Sequence, residues 1–144
     1  MSTSTHVILN GMRDWDDWIE VIRTAALGAD IWDLINPNSS TPKVLNEPKR
    51  PEPRDVHPES IGQPPTPFSA LTTDEKEQFR MLQSDYSYDR KAYDRKKQAL
   101  ADIRIRIIES IKRDYLLYTH NCDTVYDILV KLKDRISPTD KIRE

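Results

Sequence analysis

Residues 10–37 read NGMRDWDDWIEVIRTAALGADIWDLINP and hold all three tryptophans of the chain. Apolar residues recur there at intervals of three and four, which places them along one side of a helix. They are Trp15, Trp18, Ile19, Ile22 and Ala26. We interpret the tryptophans as core residues. A ligand or partner pocket is the alternative interpretation, but no polar residues converge on them in sequence.

Both ends of this helix are marked in the sequence. Carboxylates at its start can cap free N–H groups and complement the helix dipole. They are Asp14, Asp16, Asp17 and Glu20. Gly28 is expected to end the helix, and a short second apolar turn follows before Asn36 and Pro37 stop it. The apolar residues of that turn are Ile31, Trp32, Leu34 and Ile35.

The composition is ordinary for one soluble domain, with 144 residues of which 37% are hydrophobic and 32% charged. The formal net charge is −2, and no segment has the concentrated positive charge that non-specific phosphate binding requires. Cys122 is the only cysteine, which indicates a reducing compartment. No leader pattern or membrane-length apolar run is present, so we expect a cytoplasmic protein without membrane contact, with the nucleus as the alternative.

Residues 1–9 are predicted to form an extended arm, and residues 37–71 a long proline-rich loop. Nine of the ten prolines lie between positions 37 and 67. Proline removes a backbone donor and disfavours helix in the residue before it. Three interpretations of this loop are open: a solvated connector, a cover over the core, or a partner-binding motif at residues 64–67, whose PPTP sequence has the PxxP spacing.

The longest helical window opens at Thr72 and Glu75, which have the spacing of a capping box. Apolar residues recur through it at intervals of three, four and seven, and they are Phe79, Leu82, Tyr86, Tyr93, Leu100, Ile103, Ile107 and Ile111. The pattern predicts one long helix, or two helices with a bend at residues 84–88, buried mainly from Leu100 onward. Residues 112–121 are expected to end this helix in a corner.

A second capping pattern, at Thr124 and Asp127, opens the most clearly amphipathic segment of the chain. Its apolar residues are Val125, Ile128, Leu129, Leu132 and Ile136. Ser137 and Pro138 then predict the start of a further helix at residues 139–144. We therefore expect the natural polypeptide to continue beyond Glu144.

A strip of basic residues interleaved with tyrosines lies in the middle of the long helix. The basic residues, which are candidate nucleic-acid contacts, are Arg90, Lys91, Arg95, Lys96 and Lys97. Cations beside aromatic rings are the ingredients of a surface for single-stranded nucleic acid. Acidic neighbours such as Asp89 and Asp94 dilute the strip, so a solvated face with ion pairs four residues apart is the favoured interpretation.

Residues with catalytic or metal-binding patterns are scarce. The three glycines are isolated, which excludes a glycine-rich phosphate loop. His120 and Cys122 supply two of the four ligands that a zinc site needs. Nucleophilic catalysis by Cys122 requires a histidine base and an orienting group, and a small residue at a turn is the simpler interpretation. We expect no enzyme activity, no cofactor, no metal and no small-molecule substrate.

Two blocks of the chain resemble the N-terminal part of the Gag polyprotein of copia-type LTR retrotransposons. The first block resembles a family pattern that is roughly L-x-G-x-N/D-aromatic-x-x-W followed by L-x-x-x-x-L/I-W-x-x-I. The residues that resemble it follow the same order, with one spacing in each half different by one residue, and are Leu9, Gly11, Asp14, Trp15, Trp18, Leu27, Ile31, Trp32 and Ile35. The second is roughly an aliphatic helix followed by a T-A-x-x-x-W-x-x-L helix. It is resembled by residues 103–111 and by Asp123, Thr124, Val125, Tyr126 and Leu129, of which Tyr126 and Leu129 keep the family's spacing. Tyr126 stands where the family usually has tryptophan.

The resemblance implies a single all-α capsid domain over residues 1–144, a compact bundle of about five helices with the proline-rich loop between the second and third. Its family signature and core would include Trp15, Trp18, Ile22, Trp32, Ile35, Ile103, Ile107, Tyr126 and Leu129. The implied function is structural: weak association of identical copies into a virus-like particle, with RNA bound only through regions absent from this chain. A host-domesticated Gag-derived protein has the same pattern.

Two other functions are consistent with the sequence. One is an adaptor or scaffold that binds a protein partner through the proline-rich loop or the long helix. The other is a weak binder of single-stranded RNA through the basic strip.

Overall fold

A computed structural model describes residues 7–57, 64 and 66–138. Over these residues the protein is all-α, which confirms the predicted fold class. The α-helices are α1 (Trp15–Gly28), α2 (Trp32–Ile35), α3 (Thr73–Glu109) and α4 (Val125–Ile136), and the 3₁₀ helices are Met12–Asp14, Pro53–Asp55, Phe68–Ala70 and Arg113–Thr119. The helix predicted at residues 139–144, the first six residues of the arm and Pro65 of the PxxP sequence lie outside the described residues.

The chain divides into two compact units. Unit 1 consists of Met1–Leu45 and Lys96–Glu144, and unit 2 consists of Asn46–Arg95. Helix α3 is continuous from Thr73 to Glu109, so the long helix has no break at residues 84–88. The single domain predicted over residues 1–144 stays a prediction.

The core of unit 1 is built from α1, α2, the second half of α3 and α4. Its buried residues are Leu9, Trp15, Trp18, Ile22, Ala26, Ile31, Ile35, Ile103, Ile107, Ile111, Cys122, Val125, Ile128, Leu129, Leu132 and Ile136. Trp32 and Leu100 are partly buried and pack against this core. The indole rings of Trp15 and Trp18 lie 5.6 Å apart between their centroids, so they contact each other within the core.

The start of α1 differs from the prediction. The Asp14 carboxylate makes no capping hydrogen bond to the first turn of the helix. It accepts instead from the backbone N–H of Asn10 at 3.0 Å. The reason is that the 3₁₀ helix Met12–Asp14 leads directly into α1, so Asp14 already has helical backbone angles of φ −87° and ψ −11°.

Helix α1 ends at Gly28, as predicted, but the turn that follows it is not made by a left-handed glycine. Gly28 is the last helical residue, and the left-handed conformation is adopted by Asp30, with φ 58°. The backbone N–H of Ile31 donates to the carbonyl of Ala26 at 2.9 Å, and that of Asp30 donates to Leu27 at 3.1 Å. These two bonds form a Schellman motif, in which the buried Ile31 side chain anchors the turn.

Helix α3 ends at Glu109 rather than continuing through Ile111. Beyond Glu109, backbone groups of the chain form hydrogen bonds with the N-terminal arm instead of with the helix. The N–H of Leu9 donates to the Ser110 carbonyl at 2.8 Å, and the N–H of Lys112 donates to the Leu9 carbonyl at 2.9 Å. The side chain of Leu9 is fully buried. Leu9 of the arm therefore pairs with the chain around Ile111 and contributes its side chain to the core.

Helix α4 begins and packs as predicted. The backbone N–H of Asp127 donates to the Thr124 hydroxyl at 3.1 Å, which caps the helix. The predicted apolar side is buried along its whole length, at Val125, Ile128, Leu129, Leu132 and Ile136.

In unit 2, part of the proline-rich loop is held along the first half of α3. Glu47 forms an ion pair with Arg90, and Nδ1 of His57 lies 2.8 Å from Oε2 of Glu75. Since residue 47 lies beside residue 90 and residue 57 beside residue 75, the segment runs antiparallel to the helix. We call residues 47–57 the proline strap, which these two contacts hold against the first half of α3.

The start of α3 has the predicted capping box. The backbone N–H of Thr72 donates to the Glu75 carboxylate at 2.8 Å, and the N–H of Glu75 donates to the Thr72 hydroxyl at 3.1 Å. The bond from the Thr72 backbone and the contact with His57 lower the pKa of Glu75 below its ordinary value of 4.5. The carboxylate is therefore favoured in its charged form where it caps the helix.

Candidate interaction surface

An aliphatic stripe is exposed on the second half of α3, within unit 1. It consists of Ala101, Ile105 and Ile108, which we call the α3 stripe. Ile105 is 55% exposed and Ile108 is 37% exposed. Their spacing of four and three residues places the three side chains within about 60° of one another around the helix axis. The buried pair Ile103 and Ile107 points to the opposite side of the helix.

Charged residues border the α3 stripe on one side. They are Asp102, Arg106 and Glu109, in the order negative, positive, negative, and all three are exposed. The side chain of Gln98 donates to the Asp102 carboxylate at 3.0 Å. Arg106 and Glu109 make no hydrogen bond or ion pair with another side chain in the described part of the protein. They are available to a partner molecule.

A groove of about 430 Å³ in unit 1 adjoins the α3 stripe at Ala101. It lies between the segment after α2, the second half of α3 and the start of α4. Its lining is mainly apolar and consists of Leu34, Ile35, Pro42, Lys43, Val44, Leu45, Leu100, Ala101, Arg104, Asp123, Thr124, Val125 and Tyr126. Val44 at its rim is 75% exposed, so the uncovered apolar surface extends from the stripe into the groove.

The wall of the groove that follows α2 is fixed by specific contacts. The Tyr126 hydroxyl donates to the Ser39 carbonyl at 2.7 Å. The backbone N–H of Lys43 donates to the Asp33 carbonyl at 3.1 Å, and the Lys43 ammonium lies 3.3 Å from the Asp33 carboxylate. Tyr126 thus holds the segment after α2 against the start of α4.

The polar groups of the groove are already paired. The Arg104 guanidinium donates to the Cys122 carbonyl at 2.9 Å and to the Asp123 carbonyl at 3.4 Å. Across the described residues, every buried side-chain nitrogen or oxygen has a hydrogen-bond partner. The groove therefore offers apolar contact rather than a set of directed polar groups, which suits a protein surface better than a small polar ligand.

The predicted nucleic-acid contacts are distributed over both units. Arg90, Lys91 and Arg95 belong to unit 2, and Lys96 and Lys97 to unit 1. Arg90 pairs with Glu47 and Asp94 and lies 5.3 Å from the Tyr93 ring centroid, and its bond to Glu47 raises its pKa. Lys96 lies 3.7 Å from the Asp30 carboxylate. The ion pairs of Arg90 and Lys96 leave less free positive charge than the sequence suggests.

The part of the chain that the structure describes contains no cluster of metal-binding residues, and its cysteine is buried. No group of three or more His, Cys, Asp or Glu residues is placed there to hold a metal ion. Cys122 is buried and its thiol donates to the Tyr118 carbonyl at 3.5 Å. Its surroundings are those of a core residue at a turn.

Protein-family models, curated proteins and solved structures were each compared with the chain. None matches. The resemblance to Gag thus rests on the sequence pattern of residues 9–35 and 103–129 alone. Among the described residues, none of the helices combines the length and apolar character needed to cross a membrane.

The α3 stripe was missed by the sequence analysis, although a signal for it exists. Residues 103–108 contain four isoleucines, at Ile103, Ile105, Ile107 and Ile108. One side of a helix cannot bury side chains that point in opposite directions. Because one buried side cannot hold all four isoleucines, the sequence indicates a second apolar side on this helix.

Proposed function

We propose that this protein is an assembly module of the Gag capsid type, which associates with identical copies of itself to build a shell. Its role is structural. Each contact between copies is weak, and repetition of that contact in a symmetric arrangement supplies the strength of the whole.

The observation that carries the proposal is the exposed α3 stripe. Ile105 and Ile108 remain open to solvent on an ordered helix, beside a groove whose lining is mainly apolar. Contiguous exposed apolar surface on a highly charged protein marks a site of protein contact. The all-α fold and the tryptophan core agree with what the Gag resemblance implies.

Two features favour this proposal over the alternatives. The proline strap is tied to α3 by Glu47 and His57, so that part of the loop is not free for an adaptor partner. Arg90 and Lys96 are neutralised by acidic partners, which weakens an RNA-binding surface.

The experiment is a concentration series of the 144-residue chain, analysed by sedimentation velocity and by negative-stain electron microscopy. We expect monomer at low concentration, and dimers followed by larger closed particles as the concentration rises. Bovine serum albumin at matched concentration controls for non-specific crowding. A strictly monomeric protein at its solubility limit, with no particles on the grid, contradicts the proposal.

A separate salt titration addresses RNA. If the protein is an assembly module without its own RNA surface, its affinity for single-stranded RNA is low and depends little on which basic residues of the strip are present. Tight binding that falls steeply with salt, and that is lost when Lys91 and Arg95 are replaced by glutamine, favours the RNA-binding alternative.

A further inference from the structure

The junction between the N-terminal arm and the first helical turn holds two residues that can react with each other. Asn10 is exposed and is followed directly by Gly11. We propose that this pair is a site of spontaneous deamidation, at which the backbone nitrogen of Gly11 attacks the side-chain amide of Asn10. Position 10 then becomes aspartate or isoaspartate. This chemistry is independent of the proposed assembly function.

The reaction consumes only water and releases only ammonia. The nitrogen of Gly11 forms a bond to Cγ of Asn10 and loses its proton, and the side-chain nitrogen leaves as ammonia. A five-membered succinimide ring remains. Water then breaks one of the two bonds that join the ring nitrogen to a carbonyl carbon. Breaking the bond to Cγ gives aspartate, whereas breaking the bond to the backbone carbon gives isoaspartate, in which the main chain runs through Cγ.

Both reacting groups are unbonded in the structure. The hydrogen bonds of Asn10 involve only its backbone, whose N–H donates to the Asp14 carboxylate at 3.0 Å and whose carbonyl accepts from the Tyr115 hydroxyl at 2.9 Å. Among the described residues, neither the side-chain amide of Asn10 nor the N–H of Gly11 has a hydrogen-bond partner. Neither group therefore has to break a hydrogen bond of its own before the attack.

Gly11 assists the reaction because it has no side chain. Without a Cβ, its nitrogen approaches Cγ of Asn10 with little steric hindrance. The fold itself does not require glycine there, since Gly11 has φ 178°, an extended conformation that any residue adopts. A Cβ at this position would lie 4.0 Å from the Tyr115 hydroxyl oxygen, which is an ordinary contact. Gly11→Ala thus tests the chemistry without disturbing the fold.

Asn38 in unit 1 is a matched comparison within the same chain. It is exposed like Asn10, but it is followed by Ser39. The N–H of Ser39 donates to the Asn36 carbonyl at 3.1 Å, so the nitrogen that would attack is already bonded. Ser39 also carries a Cβ. We therefore expect Asn38 to react much more slowly than Asn10.

The Tyr115 hydroxyl restrains the site. Closing the succinimide ring turns the peptide group between Asn10 and Gly11, because the ring contains the carbon and the nitrogen of that group. The turn carries the Asn10 carbonyl away from the Tyr115 hydroxyl that binds it. Tyr115→Phe removes this bond and is expected to accelerate deamidation by about two- to tenfold.

Isoaspartate at position 10 changes the link between two anchored parts of unit 1. Leu9 on one side is fully buried, and Trp15 on the other side lies in the core. Isoaspartate adds one methylene to the main chain between them. Either product places a new carboxylate near that of Asp14, which lies 3.0 Å from the backbone nitrogen of residue 10. Both changes are expected to weaken the attachment of the arm.

Peptide mapping of the folded chain after prolonged incubation at neutral pH tests the proposal. Trypsin releases residues 1–13, in which Asn10 is the only residue with a side-chain amide, so an amide-to-carboxyl gain in mass identifies the site. Residues 24–43 report on Asn38. We expect conversion in the first peptide to be several times faster than in the second. No conversion at Asn10, or equal rates in the two peptides, overturns the proposal.

Three further samples separate the chemistry from its surroundings. Gly11→Ala is expected to slow conversion by on the order of tenfold. The original chain in urea gives the rate without the fold, and a native rate more than about tenfold lower shows that the fold blocks the reaction, which contradicts the proposal. An unchanged rate in Tyr115→Phe disproves the restraint by its hydroxyl. Circular dichroism checks that both variants keep their helix content.

Thermal unfolding of the incubated protein tests the consequence for the arm. Isoaspartate is detected by an isoaspartate-specific methyltransferase with S-adenosylmethionine as the methyl donor. Asn10→Asp adds the charge without the methylene, and we expect it to lower the unfolding temperature less than isoaspartate does. Incubated protein that contains isoaspartate and unfolds at the same temperature as fresh protein overturns the predicted weakening of the arm.

Discussion

The indole Nε1 of Trp18 donates a hydrogen bond to the hydroxyl of Ser110 at 2.9 Å, and both side chains are buried. The Ser110 hydroxyl in turn donates to the Ile107 carbonyl at 3.3 Å. The bond between Trp18 and Ser110 connects α1 to the residue that follows α3. It allows a large aromatic side chain to be buried without leaving its N–H unpaired.

Replacing Ser110 by alanine is expected to destabilise unit 1 by about 1–3 kcal/mol, because the indole N–H of Trp18 then stays buried without an acceptor. Urea unfolding followed by tryptophan fluorescence measures this, since all three tryptophans lie in unit 1. Ser87→Ala, the same change on the exposed middle of α3, is the control and is expected to stay within about 0.5 kcal/mol of the original protein. If the unfolding free energy of Ser110→Ala also stays within about 0.5 kcal/mol of the original protein, the prediction is wrong.

Two substitutions at the end of α1, Gly28→Ala and Asp30→Gly, are each expected to stabilise the protein. Gly28 is helical, and the space that an alanine Cβ would occupy there is open, so Gly28→Ala gains roughly 0.5–1 kcal/mol. Asp30 has φ 58°, which glycine adopts without strain, so Asp30→Gly gains a similar amount at most. The ion pair that Asp30 makes with Lys96 is exposed and contributes little.

Thermal unfolding of the two single variants and of the combined variant measures these gains. Because the two positions lie two residues apart in the same turn, their effects need not add, and the combined variant measures the coupling between them. Loss of stability in Gly28→Ala indicates that the left-handed residue in solution is Gly28 rather than Asp30.

The cap at the start of α3 is expected to weaken in acid. Because folding lowers the pKa of Glu75, its contribution to stability is present above its ordinary value of 4.5 and is lost as the pH falls through the lowered value. Amide hydrogen exchange of Lys76, whose N–H donates to the Thr72 carbonyl at 2.9 Å, reports on this first turn. We expect its protection factor to decrease over that pH range.

Glu75→Gln keeps an acceptor for the Thr72 N–H but has no charge to lose, so its protection is expected to be lower at neutral pH and flat through the acid range. Asp74→Asn removes a neighbouring charge without touching the capping bonds and is expected to keep the acid dependence of the original protein. An unchanged pH profile in Glu75→Gln assigns the effect to another group.

Tyr126→Phe is expected to loosen the wall of the groove. The variant removes the 2.7 Å bond to the Ser39 carbonyl. The cost is about 0.5–1.5 kcal/mol in unit 1. Trypsin is expected to cleave faster after Lys43, which lies on that wall. Tyr115→Phe, which removes a more exposed bond to the Asn10 carbonyl, is the control. If trypsin cleaves after Lys43 faster in Tyr115→Phe than in Tyr126→Phe, the bond of Tyr126 does not hold the groove wall.

The local parts of the fold were predictable because neighbouring residues determine them. The buried sides of α1 and α4 follow from apolar spacing, and the caps at Thr72 and Thr124 follow from two residues three apart. The contact of Trp18 with Ser110 was not predictable, because its partners lie 92 residues apart. No periodicity within one helix carries that information.

The candidate surface was harder to predict for a related reason. Spacing identifies Ile103 and Ile107 as core but does not say which neighbouring side remains open, since that depends on where α1, α2 and α4 end in space. The proline strap was not predictable for the same reason, because the contact between His57 and Glu75 joins residues that are distant in sequence. Composition alone predicted a loop there and said nothing of what holds it.

The discontinuity of unit 1 has a consequence for synthesis on the ribosome. Trp18 leaves the exit tunnel long before Ser110, 92 positions later in the chain, has been translated. At about 5–20 residues per second, the indoles wait roughly 5–18 s for the segment that covers them. During that interval the nascent chain presents unburied aromatic side chains, so holding chaperones have their principal opportunity to engage it before release.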